Sequence, residues 1–121
     1  MLNLSISFAI LHTFVTATCY QAVPEQCNAD PYVTAFNYRI DPKDPLSHRY
    51  VAISRDLEAF YSPGDSIYIV GVGEYDGMWM IADRMNRRYS SRIDLLVNND
   101  SYVDKFTGVR IIQHVRKRSV R

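Results

Sequence analysis

The sequence predicts a mainly β domain, a small closed barrel of six strands with one or two short helices. Short apolar runs recur near residues 14–20, 50–54, 66–72, 77–83, 92–97 and 108–115. Each is long enough for a strand and too short for a buried helix. Clusters of Gly, Pro, Asn and Asp punctuate the intervals, as turns require. A closed ring also leaves no long exposed edge. The chain has 121 residues, a formal net charge of +1 and 47% hydrophobic residues, which suits one globular domain with a single core. That charge balance announces neither nucleic acid nor disorder. No run approaches the ~20 apolar residues of a membrane-spanning helix.

Taken in order, residues 1–13 form an apolar segment dotted with Ser and Thr. It resembles the apolar region of a secretory leader but lacks the positive residues that precede one. Three readings fit it: an atypical or truncated signal, an uncleaved anchor, or an extension packed on the barrel. Export to the periplasm, cell surface or medium is the expected localisation. Cys19 alternates with Ala17 and Gln21 and so shares a strand face with them. A disulfide from Cys19 to Cys27, across a Pro-containing loop, is expected in an exported chain. Residues 28–47 are loop-rich, with Asp-Pro turn starters at 30, 41 and 44. Asn37 is suited to a positive φ. Tyr50 to Ile53 reads as a buried strand, and Ser54 as the N-cap of about two helical turns with Leu57, Phe60 and Tyr61 on one face. Ile67, Ile69 and Gly71 alternate with Tyr68 and Val70, which suggests a strand buried on both sides. Trp79, among Met78, Met80 and Ile81, is assigned to the core. Asn98, Asn99 and Asp100 make a turn, Ser101 caps a short helical turn, and residues 116–121 form a basic, solvated tail.

Two aspartates stand at the ends of adjacent apolar runs: Asp83 closes one and Asp94 lies in the next. Such a pair suits acid/base chemistry, where one carboxyl donates a proton and the other supports charge. The bridge between them carries Arg84, Arg87, Arg88 and Arg92. A surface salt-bridge cluster is therefore the alternative, since arginine beside a carboxylate favours its ionised form.

The frame Ala82-Asp83, ten intervening residues, then Asp94-Leu95-Leu96-Val97 resembles the 3D domain, a family named for three aspartates. Further segments match in family order. Val15 to Tyr20 resembles its first strand, Val33-Thr34-Ala35 its Thr-Ala turn and Val51 to Leu57 its second strand and the step after it. Pro63 to Ile69 resembles its Gly-led strand, and Val109 to Ile112 its closing strand. The resemblance covers residues 14–115. It implies a double-psi β-barrel related to the C-terminal part of membrane-bound lytic transglycosylases. Two departures stand out. The family's Gly-rich bridge is here Arg84 to Arg92 with no glycine, and Ser54 stands where many members carry an aspartate.

The resemblance implies a cell-wall glycan-directed protein. Its activity would be lytic-transglycosylase-like cleavage of peptidoglycan, with Asp83 as general acid/base and Asp94 supporting it. Thr34, Asn86 and Arg92 would bind substrate. No cofactor or metal is expected, because His12, His48 and His114 are scattered and lack ligand spacing. The partner would be peptidoglycan or a related polysaccharide, not nucleic acid. The alternative is a non-catalytic barrel, expansin-like or phage-associated, that binds polysaccharide by stacking on Trp79, Tyr68, Tyr75 or Tyr89, or a pure scaffold.

Overall fold

The computed structural model describes residues 4–23, 30–101 and 104–120, with side chains from 12 onward and to 113 within those spans. It is mainly β, with six strands in one sheet: β1 (Leu4–Gln21), β2 (Tyr50–Ile53), β3 (Ser66–Val70), β4 (Gly77–Arg84), β5 (Arg92–Val97) and β6 (Lys105–Val120). Their hydrogen-bonded order is β1-β5-β2-β4-β3-β6, and β6 pairs back onto β1. Two ladders are parallel, β1 with β5 and β2 with β4; the others are antiparallel. Among the described residues the helices are 3₁₀ segments of three to five residues, Pro45–His48, Arg55–Ala59 and Gly73–Tyr75. No helix of the described residues is long and apolar enough to cross a membrane.

Strand positions follow the apolar runs. β1 and β6 extend beyond the limits suggested by hydropathy, pairing from Leu4 opposite Val120 inward. Alternation decides which side chains meet. Val15, Ala17 and Cys19 of β1 join Ile93, Leu95 and Val97 of β5 in the inner core, with Ile67, Ile69, Trp79, Ile81, Val109 and Ile111. A second apolar cluster lies on the outer face, where Tyr20, Tyr50, Ala52, Ala82 and Leu96 meet Ile40 and Met85. β2 therefore has both faces covered, and all four of its residues are buried.

Three local expectations need correction. β3, expected to be buried on both sides, buries only Ile67 and Ile69, while Ser66 and Tyr68 are exposed. The outer cluster covers β2 but not β3, so Tyr68 meets solvent. The helix after Ser54 is one short 3₁₀ segment, because Ser62-Pro63-Gly64 follows too soon for a second turn. It buries Leu57 and leaves Phe60 exposed, with Tyr61 just beyond it in the core. Ser54 makes no side-chain cap; it is fully buried, and its Oγ accepts the Arg92 backbone N–H at 3.1 Å. The Asn98–Ser101 turn forms through a 3.0 Å Ser101 N–H to Asn98 carbonyl bond, whereas the turn expected next falls on residues 102–103, outside the described residues.

Trp79 is a core residue at 1% exposure, as expected. Its indole N–H donates to the Tyr75 carbonyl at 2.8 Å, and the Arg49 guanidinium lies 4.1 Å from the ring centroid. Arg49 also donates to the carbonyls of Met78, Tyr75 and Asp76, closing the turn into β4. Trp79→Ala would therefore remove a large core side chain and the platform under Arg49. Urea unfolding should show a loss of about 3–5 kcal/mol; a loss below about 1 kcal/mol would mean that the ring is not a core element.

Candidate functional site

The β2 register places the two aspartates. Ala52 pairs with Asp94 on β5 and with Asp83 on β4. Directly paired residues point to the same face of a sheet, so both carboxylates flank Ala52 on the outer face. For Asp83 this depends on an irregularity. Val51 pairs with Ile81, but the next β2 residue, Ala52, pairs with Asp83, so Ala82 is an extra residue in β4. Without that bulge Ala52 would pair with Ala82, and Asp83 would point to the opposite face. On the other side of β5, Asp94 pairs with Thr18 of β1, which in turn pairs with Lys105 of β6. Lys105, Thr18, Asp94, Ala52 and Asp83 thus form one row across five strands.

This row crosses a groove of about 1140 Å³ on the outer face. Asp83, Asp94, Thr34, Asn86 and Arg92 all line it. Thr34 is buried, and its hydroxyl holds a turn by accepting the Tyr38 backbone N–H at 3.1 Å. Asn37 in that turn has φ 67°, the conformation expected for it. Asn86 accepts the Arg88 N–H through Oδ1 at 3.1 Å, which folds the loop between β4 and β5. The groove also holds residues that the sequence reading did not assign to the site: Thr18, Tyr20 and Ala35. Period-2 alternation from the buried Ala17 and Cys19 would have turned Thr18 and Tyr20 outward, but their partners lie 76 and 63 residues away.

The two carboxylates have unlike surroundings. Asp83 accepts three hydrogen bonds, from the backbone N–H groups of Ala35 and Arg84 at 2.8 Å each and from the Tyr20 hydroxyl at 3.0 Å. Asp94 accepts one from the Thr18 hydroxyl at 2.9 Å. Asp94 retains partial exposure to the groove, yet protein encloses enough of its carboxyl that burial pushes its pKa up to about 6. The Asp83 charge adds to the rise, while the Thr18 hydrogen bond and the Arg92 charge oppose it.

A salt-bridge cluster does not form around the pair. Arg84 turns away and makes a two-pronged ion pair with Glu58, Nε to Oε2 at 2.8 Å and Nη2 to Oε1. The Arg88 and Arg92 guanidiniums lie over the Tyr89 ring, 4.8 and 5.0 Å from its centroid. Among the described residues neither aspartate has an arginine ion pair. Of the proposed sugar-stacking rings, Trp79 and Tyr75 are core residues, and Tyr68 lies outside the groove. Tyr89 lines it. Cys19 is a buried free thiol, raised in pKa chiefly by burial; its expected partner, Cys27, lies outside the described residues. Among the described residues no group of three His, Cys, Asp or Glu is placed to hold a metal ion.

Compared with protein-family models and with curated proteins, the chain finds no match.

Asp94 makes stability depend on pH in a defined direction. The folded carboxyl keeps its proton to a higher pH than an unfolded aspartate does. The associated stability is complete below the unfolded carboxyl's range, near pH 4, and is lost as pH rises through about 6. Asp94→Asn keeps the shape and the Thr18 acceptor but never ionises. Urea denaturation at pH 8 should find it more stable than wild type by roughly 2–3 kcal/mol, with the difference closing by about pH 4. A variant less stable than wild type at pH 8 would show that the ion is favoured in the fold.

Proposed function

We propose that the chain is a glycan-cleaving acid/base protein, acting on peptidoglycan strands in the manner of lytic transglycosylases. The observation that supports it most is the pair of carboxyls, Asp83 and Asp94, on either side of Ala52 in one open groove, with burial raising the Asp94 pKa to about 6. A carboxyl whose pKa is raised by burial, with a second carboxyl beside it, is a usual basis of acid/base division of labour. The roles read from the sequence are accordingly exchanged. Asp94 is the general acid, because burial raises its pKa to about 6 and a fraction of it carries a proton near neutral pH. Asp83, whose three contacts all use it as an acceptor, is the electrostatic support.

In the proposed reaction the Asp94 carboxyl gives its proton to the glycosidic oxygen as the C1–O bond breaks. Positive charge develops at the sugar ring, next to Asp83. The Asp94 carboxylate then takes the proton of the muramyl 6-hydroxyl, whose oxygen closes on C1. The product is a 1,6-anhydro sugar, and no water is consumed. Asp94 ends protonated, as it began.

A 3D-type, double-psi barrel is the architecture we assign to this site. The return of β6 to β1 and the parallel pairings of β1 with β5 and β2 with β4 support it. Such a substrate would place the protein outside the cytoplasm.

Purified sacculi incubated with the protein test the proposal, with mass analysis of the soluble muropeptides. Wild type should release anhydro-muropeptides. Asp94→Asn should lose about 10²–10⁴-fold in rate, the usual share of a general acid, and Asp83→Asn should lose less. Full activity in Asp94→Asn would remove it from the mechanism. Protein that pellets with sacculi but releases nothing would support a binding module instead.

A further inference from the structure

We infer that the groove recognises a carboxylate carried by the glycan, held by Arg88 and Arg92, whose guanidiniums both lie over Tyr89; this rests on the glycan-directed proposal above. The glycine-free loop between β4 and β5 is the basis. Its guanidiniums could have neutralised Asp83 and Asp94, but the fold directs them elsewhere. Arg84 is taken by Glu58. Arg88 and Arg92 instead rest on one aromatic ring, both lining the groove, with no carboxylate ion pair among the described residues.

Their placement is fixed from several sides. Arg88 donates to the Tyr89 hydroxyl at 2.7 Å. The loop is tied by the Asn86 amide oxygen to the Arg88 N–H and by Asp56 to the Ser91 N–H at 2.9 Å. Buried Ser54 fixes the start of β5 through the Arg92 N–H. A guanidinium stacked on a ring keeps its in-plane N–H edge for a ligand, and that edge matches a carboxylate in a two-pronged bond. Arg92 lies two residues before Asp94 on β5, so the two side chains share the outer face, about 7 Å apart along the strand. A sugar whose carboxylate sits on Arg92 thus presents its neighbouring glycosidic bond to Asp94. A neutral glycan would offer neither guanidinium a two-pronged carboxylate partner.

The carboxylate could belong to the sugar or to an attached peptide. Calorimetric titration of Asp94→Asn protein, in which turnover is blocked, distinguishes the sources. Three oligosaccharides of equal length serve as probes: neutral N-acetylglucosamine chains, alternating N-acetylglucosamine and N-acetylmuramic acid with free lactyl carboxylates, and the same strand with stem peptides attached. At least one acidic probe should bind at least tenfold tighter than the neutral one, with the preference weakening as salt rises. A free-lactyl strand that binds best assigns the sugar carboxylate; a stem-bearing strand that binds best assigns the peptide. Arg88→Gln with Arg92→Gln should abolish the preference, and Arg88→Lys should recover only part of what Arg88→Gln loses, because a lysine cannot make the two-pronged bond. Circular dichroism checks that each variant keeps its sheet. Equal binding of neutral and acidic probes, binding of none, or a preference that survives the double substitution would overturn the inference. Muropeptide release by wild type is scored separately. Release without carboxylate preference defeats only this inference, and preference without release defeats only the catalytic proposal.

Discussion

The register of the four-residue strand β2 is the constraint on which the site depends. β2 lies between β4, parallel to it, and β5, antiparallel to it, and buries all of its residues. Burial on both faces pins the register, because a slip of one residue would move Val51 and Ile53 out of the inner core and put Tyr50 and Ala52 in their place. The same register sets Ala52 between Asp94 and Asp83. The extra residue in β4 then turns Asp83 onto the face that Asp94 already occupies. The register that packs the core is therefore the one that assembles the groove.

The electrostatics follow from where hydrogen-bond donors and cations come to rest. Asp83 is met by two backbone N–H groups and a tyrosine hydroxyl, all uncharged. Asp94 is met by one threonine hydroxyl and enclosed by protein. Removal of the nearby guanidiniums to Glu58 and Tyr89 leaves Asp94 without the cation that would lower its pKa most strongly, since Arg92 only moderates the effect of burial. Partial enclosure by protein and a negative neighbour together raise the pKa of Asp94.

Structure away from the groove supplies rigidity of a different sort. Arg49, at φ 54°, covers the Trp79 ring and binds three carbonyls of the segment before and inside β4. Ser54 and Asp56 perform the matching task at the start of β5, each accepting one backbone N–H. For Asp56, burial alone would raise the pKa, but hydrogen bonds from Ser54 and from the backbone at Ser91 hold it below its usual range. β5 is thus anchored at the end nearest the groove, and β4 at its start, the end away from Asp83.

The sequence alone determined the number and order of the strands, because a period of two and short apolar runs are local properties, but not the lengths of β1 and β6, which their mutual pairing sets. It determined the core position of Trp79, the left-handed Asn37 and the adjacency of Asp83 and Asp94 to one basic loop. Tertiary structure alone decided the rest. The bulge at Ala82 is invisible in composition, since Ala-Asp fits an ordinary strand equally well. The shallow burial of β3 and the full burial of β2 depend on which face the second cluster covers, a matter of where residues 30–44 cross the sheet. Thr18 and Tyr20 reach their aspartates only because β1 closes beside β5, across more than 60 residues of chain. The pairing of Arg84 with Glu58, 26 residues away, likewise decided that the arginines would not neutralise the pair. Local sequence fixes which side chains can titrate. Long-range packing fixes which of them is enclosed by protein, and so which one has its pKa raised.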